Sequence, residues 1–166
     1  MSVFAVIDTN VIVAALRTKH EDSATARVLD VIADGIVTPL YASEIIDEYR
    51  EVLGRSKFGF DPERVRKVID MFTHVGECVV PKRSDATLPD EDDRIFYEVA
   101  LSKDAARLVT GNLKHFPKAD FVVTPAEFLQ VLSRVSPAGV VVETQSPPSA
   151  VRGEGAWRIA DAILQQ

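Results

Sequence analysis

The chain has 166 residues, of which 46% are hydrophobic and 27% are charged. This length is typical of one compact domain, and the ordinary apolar content with eight Gly and nine Pro excludes wholesale disorder and a fibrous protein. The formal net charge of −6 excludes a basic protein that coats nucleic acid over its whole surface, so any such contact must be local.

Cysteine content and the N-terminal sequence limit the compartment. The single cysteine, Cys78, excludes an internal disulfide and a cysteine-based zinc site, and it fits a reducing environment. The N-terminus lacks the basic region of a signal peptide, and no apolar run of about 18 residues could span a membrane. We therefore expect a cytoplasmic protein that makes no membrane contact.

The first predicted element is a strand over residues Val3 to Ile7, a continuous apolar run that stops at Asp8. Such a run without alternation is typical of a strand buried on both faces of a parallel sheet. Further strands are predicted at 36–41, 78–81, 107–110 and 121–124. Pro39 favours an edge or a strand end for the second of these strands.

Helical patterns alternate with these strands. Helices are predicted at 24–33, 43–54, 61–73, from the acidic stretch 90–93 through Ala100, and from Pro125 onward. The order of elements, β-α-β-α-α-β-α-β-β-α, predicts an α/β fold with a mostly parallel sheet of about five strands.

The composition changes after residue 135. Residues 136–155 are rich in Pro, Gly and Ser, which is typical of a linker or an ordered tail, and a short helix is predicted after them. We therefore predict a domain over 1–135 and a tail over 136–166. Trp157 in this tail is predicted to pack on the domain or, alternatively, on a second copy of the chain. Together with the apolar residues of the last helix, it makes a homodimer the expected assembly.

Two acids stand where a site could form. Asp8 directly follows the first strand, where ligands bind in open α/β sheets, although it could equally cap a helix starting near Val11. On the helical wheel of residues 43–54, Glu48 lies at the border of the buried face. The other acids of this helix should be solvated: Glu44, Asp47 and Glu51.

Two further positions complete the candidate set. The third acid lies in the stretch 90–93, where the sequence leaves Asp92 and Asp93 both open. The fourth position is Asn112, after the strand that ends at Thr110; alone, it would be interpreted as a left-handed turn residue. Clustered carboxylates repel each other unless a cation neutralises them, and all-oxygen ligands favour Mg²⁺ or Mn²⁺. Such sites hydrolyse phosphodiesters.

These stretches together resemble the PIN domain family. The resemblance rests on residues 6–11, 43–49 with Val52-Leu53, Asp93 with Ala100-Leu101, and 108–112. It covers about residues 3 to 132 and depends on the order and spacing of short motifs. It implies a three-layer PIN-like nuclease fold over 1–135 and a Mg²⁺- or Mn²⁺-dependent endoribonuclease.

The resemblance also implies roles for individual residues. Asp8, Glu48 and Asp93 would be catalytic acids and metal ligands, and Asn112, where many members have Asp, would be the fourth catalytic position. Asp93 is favoured over Asp92, which would then cap the helix. Because Asn112 removes one negative charge, one-metal and two-metal chemistry both stay open.

Substrate and partner expectations follow from the same motifs. The segment from Thr110 to Phe116 resembles VapC-like toxins, which pair with an antitoxin protein. Positive charge is needed to guide an RNA backbone. Residues predicted to contact RNA are Asn10, Arg17, Lys19, His20, Thr110, Lys114 and His115.

Two other functions compete with this interpretation. A haloacid-dehalogenase-type phosphatase also places an Asp after its first strand, but it needs a second Asp two residues on, where this chain has Asn10. A non-catalytic PIN-fold module for RNA binding or assembly is the other alternative. The three retained acids argue against it, because an acidic cluster without a metal costs stability.

Overall fold

A computed structural model describes residues 2–135 and contains one five-stranded sheet in the order β3-β2-β1-β4-β5. Every pair of neighbouring strands is parallel. The strands are β1 (Val3–Ile7), β2 (Val37–Tyr41), β3 (Glu77–Cys78), β4 (Arg107–Val109) and β5 (Val122–Val123). The predicted α/β fold with a parallel sheet of about five strands is therefore confirmed. The predicted tail over 136–166, with Trp157, lies outside the described residues.

Helices flank this sheet. They are α1 (Thr9–Arg17), α2 (Ala24–Ala33), α3 (Ser43–Leu53), α4 (Pro62–Val75), α5 (Arg94–Leu101) and α6 (Pro125–Val135). Short 3₁₀ turns precede α5, at Glu91–Asp93, and follow β4, at Leu113–His115. The helix expected near Val11 is α1, which begins at Thr9 and adds one helix to the predicted order of elements. Within the described range, no helix is both long and apolar enough to cross a bilayer.

The central strand β1 is buried as its sequence predicts. Ala5, Val6 and Ile7 are fully buried between β2 and β4, and the helices cover them. Burial on both faces explains why the apolar run is continuous rather than alternating. Asp8 therefore lies at the carboxyl end of the central strand, next to the hydrophobic core.

Strands β2 and β3 differ in detail from the prediction. Pro39 lies within β2, the second strand of the sheet, and not at its end. Since β3 pairs only with Leu40 and Tyr41, Pro39 has a neighbouring strand on one side only. This arrangement tolerates its missing N–H. Strand β3 is shorter than the predicted 78–81, because Pro81 cannot donate to a ladder and Val80 is exposed.

The capping residue of α4 agrees with the sequence, whereas the capping residue of α3 differs from it. Asp61 caps α4 by accepting a hydrogen bond from the Glu63 amide, with Pro62 in the first turn. Serine is a favoured cap, so the sequence favours Ser43 as the cap of α3. Ser43 is instead its first helical residue, and Ala42 occupies the capping position.

Candidate active site

Buried polar residues of the described chain gather at one edge of the sheet. They are Asp8, Thr9 and Thr110, and each of them directly follows or adjoins the carboxyl end of β1 or β4. The two strands are parallel neighbours, and the Asp8 amide donates to the Val109 carbonyl at 2.9 Å. Burying a polar group costs free energy unless it is hydrogen-bonded. Three such groups at one edge of the sheet therefore indicate a candidate functional site there.

The side chain of Asp8 is held by residues of both strand ends. The Thr110 hydroxyl donates to Asp8 Oδ2 at 2.7 Å, and Asn10 Nδ2 donates to the same oxygen at 3.1 Å. Asn10 is itself fixed, because its Oδ1 accepts from the Gly111 amide at 3.0 Å. Asp8 occupies the N-cap position of α1 but makes no capping hydrogen bond. The nearby amides of Thr9 and Asn10 nevertheless lower the pKa of Asp8, so capping and the contacts with Thr110 and Asn10 act on the same carboxyl.

Burial raises the pKa of Asp8 to about 6. This value already includes the charge of Asp93, which adds to the rise in pKa, and the hydrogen bond from Thr110, which opposes it. Asp8 is only 5% exposed, so the carboxylate has lost most of its hydration and is stabilised only by neutral donors, the Thr110 hydroxyl, the Asn10 side chain and nearby backbone amides. A carboxylate in this environment would gain from a nearby cation.

Helix α3 carries Glu48 to the same edge. The Tyr49 hydroxyl donates to the Ile7 carbonyl, which fixes the middle of α3 above the end of β1. Thr9 Oγ1 then donates to Glu48 Oε1 at 2.7 Å. Glu48 is half-buried, and the other acids of this helix are exposed as predicted: Glu44, Asp47 and Glu51.

Glu48 is electrostatically linked to the other acids. Burial is the main factor that raises its pKa, and the charges of Asp8 and Asp93 add to it, while the bond from Thr9 opposes the shift. Each of the three carboxylates thus lies in a partly desolvated position, and the repulsion between them disfavours their simultaneous ionisation.

Asp93 ends the 3₁₀ turn before α5. Its Oδ2 lies 3.1 Å from Nδ1 of the exposed His115. Burial raises the pKa of Asp93, and the neighbouring His115 opposes that shift. The expectation that Asp92 caps the helix is wrong: Asp90 caps the 3₁₀ turn by accepting from the Asp92 amide, and Asp93 occupies the N-cap of α5.

Asn112 joins this network through its backbone. Its amide donates to Thr110 Oγ1 at 3.0 Å, and the Thr110 hydroxyl in turn donates to Asp8. The backbone φ of Asn112 is −136°, so the left-handed turn conformation considered for it is wrong. The half-buried side chain makes no capping bond. Other residue types could adopt this backbone conformation, so turn geometry does not explain why asparagine stands at position 112.

The residues predicted to bind substrate fall into three groups. Asn10 and Thr110 lie at the edge, but their polar groups hold Asp8, and Thr110 is fully buried. Lys114 and His115 are exposed on the 3₁₀ turn beyond Asn112. The cations at and beyond the far end of α1, about 12 Å along the helix from Thr9, are also exposed: Arg17, Lys19 and His20.

Sequence reasoning missed two residues at this edge. Thr9 is one of them, and its sequence signal is a hydroxyl directly between Asp8 and Asn10, followed by an apolar run. Tyr49 is the other: its spacing from Ile45 and Ile46 indicates only a buried position on the apolar face of α3, yet its hydroxyl sets the position of that helix. Neither hydrogen bond could be deduced from spacing, because the partners lie 39 and 42 positions apart in sequence.

The chemistry of these side chains fits a hard divalent cation, since carboxylate oxygens are the ligands that Mg²⁺ and Mn²⁺ prefer. Among residues 2–135, no three His, Cys, Asp or Glu side chains are grouped closely enough to hold a metal ion. Asp8 is bonded to Thr110, Glu48 to Thr9, and Asp93 to His115. The three acids therefore share one electrostatic environment without forming a coordination shell.

Comparison with known proteins identifies the family. A family model described as the PIN domain matches residues 5–114, about two thirds of the chain. The chain belongs to the PIN domain family. The matched range contains all four predicted catalytic positions, and PIN domains are generally nucleases that act on RNA and typically use divalent metal ions. No curated protein and no solved structure gives a significant match.

Proposed function

We propose that this PIN domain is a Mg²⁺- or Mn²⁺-dependent endoribonuclease. The observation that carries the proposal is the edge where Asp8, Glu48 and Asp93 converge from three separate segments. Burial raises the pKa of each acid, and repulsion from Asp93 adds to the rise in the pKa of Asp8 and Glu48. A fold that maintains such repulsion gains when a cation is bound between the carboxylates. A site that gains in this way favours a catalytic protein over a non-catalytic module.

Each residue has a defined task in this proposal. Asp8 and Asp93 would hold the cation, with Glu48 as a direct ligand or one acting through water. When bound, the cation activates water and stabilises the leaving oxygen of the phosphodiester. Thr110 and Asn10 orient Asp8, and Thr9 orients Glu48.

The fourth position and the nearby cations would handle the substrate. The Asn112 side chain is an amide that can hydrogen-bond water or RNA without adding negative charge. Lys114 and His115 follow it on an exposed turn, and we propose that they contact phosphates of the RNA. Arg17 lies at the far end of α1, so it would contact only an RNA strand long enough to extend beyond the acidic edge of the sheet.

The proposal is tested by nuclease assays on single-stranded RNA and DNA of mixed sequence with Mn²⁺, Mg²⁺ or EDTA. We expect the wild type to cleave RNA only with metal. Asp8→Asn, Glu48→Gln and Asp93→Asn should each reduce the rate by at least about 100-fold. The chain offers matched controls, because Glu44→Gln on the same helix and Asp92→Asn on the same turn change exposed acids.

Two results would contradict the proposal. One is the absence of RNA cleavage by the wild type with both metals. The other is equal loss of activity in Asp93→Asn and its control Asp92→Asn, which would mean that general acidity matters and not a specific site. Formation of an aspartyl-phosphate on Asp8 would instead indicate the phosphatase alternative.

We further propose that the nuclease is the toxin of a toxin–antitoxin pair and acts in the cytoplasm. The support is the likeness of the segment from Thr110 to Phe116 to such toxins. Expression of the wild type should arrest growth, and expression of Asp8→Asn should not. The antitoxin partner, and the homodimer expected from Trp157, remain predictions.

A further inference from the structure

A short loop between α3 and α4 combines cationic and aromatic side chains. Residues 55–60 read Arg-Ser-Lys-Phe-Gly-Phe, and we call them the Arg55–Phe60 loop. The rings of Phe58 and Phe60 are stacked, with centroids 5.4 Å apart and planes inclined by 10°. Lys57 Nζ lies 5.0 Å from the centroid of the Phe58 ring. Gly59 adopts φ +62°, which only glycine takes readily, and this turn separates the two rings.

The two rings have different surroundings. Phe60 packs against the hydrophobic core, but Phe58 is not among the described residues that do so. Phe58 is half-buried by Phe60 beneath it and is covered by the ammonium group of the exposed Lys57. A flexible lysine side chain is easily displaced, so the Phe58 ring is an aromatic surface supported by the core and accessible to a ligand.

The loop lies close to the acidic edge. Glu48 and Arg55 are seven residues apart, which is about 10 Å along the helix axis at the helical rise, and α3 ends two residues before Arg55. The chain keeps helical hydrogen bonds to this point, since the Gly54 and Arg55 amides donate to the Arg50 and Val52 carbonyls. The pKa of Arg55 is raised first by its hydrogen bonds to Glu51, and the charge of Glu48 adds to the effect.

Arg55 retains capacity for a phosphate. Its Nε and Nη2 donate to the two carboxylate oxygens of Glu51, at 3.0 and 2.8 Å. Among the described residues, none accepts a hydrogen bond from its Nη1. The ion pair is exposed, and such pairs contribute little to stability, so the guanidinium can exchange partners at small cost.

We propose that the Arg55–Phe60 loop is a binding site for single-stranded RNA, in which one base stacks on Phe58 and the neighbouring phosphates contact Lys57 and Arg55. The inference rests on the proposed ribonuclease function and extends it to how the substrate strand is held. Base–aromatic stacking beside cations is the usual way proteins bind single strands without reading sequence. A separation of about 10 Å from Glu48 corresponds to roughly three nucleotides at the 3.4 Å rise of a stacked strand.

Binding of a labelled 12-nucleotide single-stranded RNA of mixed sequence, measured by fluorescence anisotropy in EDTA, tests this inference. Phe58→Leu still covers Phe60 but offers no aromatic face, so we expect the dissociation constant to rise roughly 5- to 100-fold. Phe58→Tyr retains the face and should bind within about twofold of the wild type. Lys57→Gln should reduce the dependence of log affinity on log salt by about 0.7.

A second readout separates RNA contact from a packing role. With Mn²⁺, Phe58→Leu should raise the KM for the 12-nucleotide RNA and leave kcat unchanged. Cleavage of a dinucleotide, which is too short to reach the loop, should be unaffected. Lys57 is at the surface, so the Lys57→Gln arm does not depend on how well the Phe58 variants fold.

The outcomes distinguish the two proposals. If the wild type cleaves RNA but Phe58→Leu binds the 12-nucleotide strand as tightly as Phe58→Tyr and the salt dependence of Lys57→Gln is unchanged, the loop site is wrong and the ribonuclease stands. If the wild type neither binds nor cleaves RNA, both proposals fall.

Discussion

Asp8 and Asp93 carry the same functional group at the same edge of the sheet, but the protein holds them in different ways. Asp8 is 5% exposed and accepts hydrogen bonds from the fully buried Thr110 and from Asn10. The side chain of Asp93 is 15% exposed and lies on a 3₁₀ turn, where its partner is His115, which is 46% exposed. The first carboxylate is thus fixed by the core, and the second can change partners at the surface.

This difference suggests how the candidate site works. A fixed carboxylate defines a position, and an adjustable one can approach a cation without rebuilding the core. Glu48 is intermediate, because it is half-buried and held by Thr9. The lack of a ready coordination shell among the described residues is consistent with this division, since Asp93 is bonded to His115.

The largest effect that tests this contrast is the pH dependence of stability. Because the pKa of Asp8 is about 6 when folded and 3.8 ordinarily, the folded state binds the proton more tightly than the unfolded chain does. Ionisation of Asp8 therefore lowers the free energy of unfolding as the pH rises from about 4 to about 6. Above about pH 6 the loss reaches its full size of about 3 kcal/mol. In EDTA, Asp8→Asn should be more stable than the wild type at pH 7.5. Urea unfolding should show this advantage shrinking at pH 4.5, and an advantage of equal size at both pH values would contradict the account.

The next effect is loss of the buried hydroxyl that holds Asp8. Thr110→Val has nearly the same shape but cannot donate to Asp8 Oδ2, so we expect it to lower the free energy of unfolding by about 1–3 kcal/mol at neutral pH. The exposed Thr87 supplies a control, since Thr87→Val should stay within about 0.5 kcal/mol. Equal stability of the two variants would show that Asp8 does not depend on Thr110.

A smaller loss is expected at Glu48. Thr9→Val removes the donor to Glu48 Oε1, but water can replace it in part because Glu48 is half-buried. Urea unfolding should give a decrease of about 0.5–1.5 kcal/mol, which is less than for Thr110→Val. The reverse ranking of the two threonine variants would contradict the distinction between a fixed and a partly solvated acid.

The smallest effect should be at His115. Removal of an exposed ion pair typically changes stability by less than about 1 kcal/mol, so His115→Ala at pH 6 should be close to the wild type. The pKa of Asp93, followed by NMR, should rise because His115 opposes the effect of burial. A large loss of stability would mean that Asp93 is as firmly held as Asp8.

Much of the fold could be predicted from local patterns. The continuous apolar run of β1, the cap and proline at the start of α4, and the inward position of Glu48 all follow from periodicity and local chemistry. Pro39 was harder to place, because its tolerance depends on how little of β2 the neighbouring β3 covers. The sequence of β2 alone does not show how many of its residues pair with β3, so the position of Pro39 could not be predicted from it.

For the candidate site, only the acidic residues could be predicted from the sequence. Residues placed after strands and on helix borders gave Asp8, Glu48 and Asp93, with the family resemblance choosing Asp93 over Asp92. The donors that hold these acids depend on contacts between distant segments, such as Thr9 with Glu48 and His115 with Asp93. Periodicity within one element cannot indicate them, since it contains no information on which element lies opposite.

If Asp8, Glu48 and Asp93 form one cation site, adding Mn²⁺ should raise the midpoint of thermal unfolding. A ligand at about 100 times its dissociation constant should stabilise the wild type by about 2.7 kcal/mol. Asp8→Asn, Glu48→Gln and Asp93→Asn should lose most of this gain, whereas Glu44→Gln and Asp92→Asn should keep it. A wild-type midpoint that does not move with Mn²⁺, or a shift that survives in Asp8→Asn, would contradict the account.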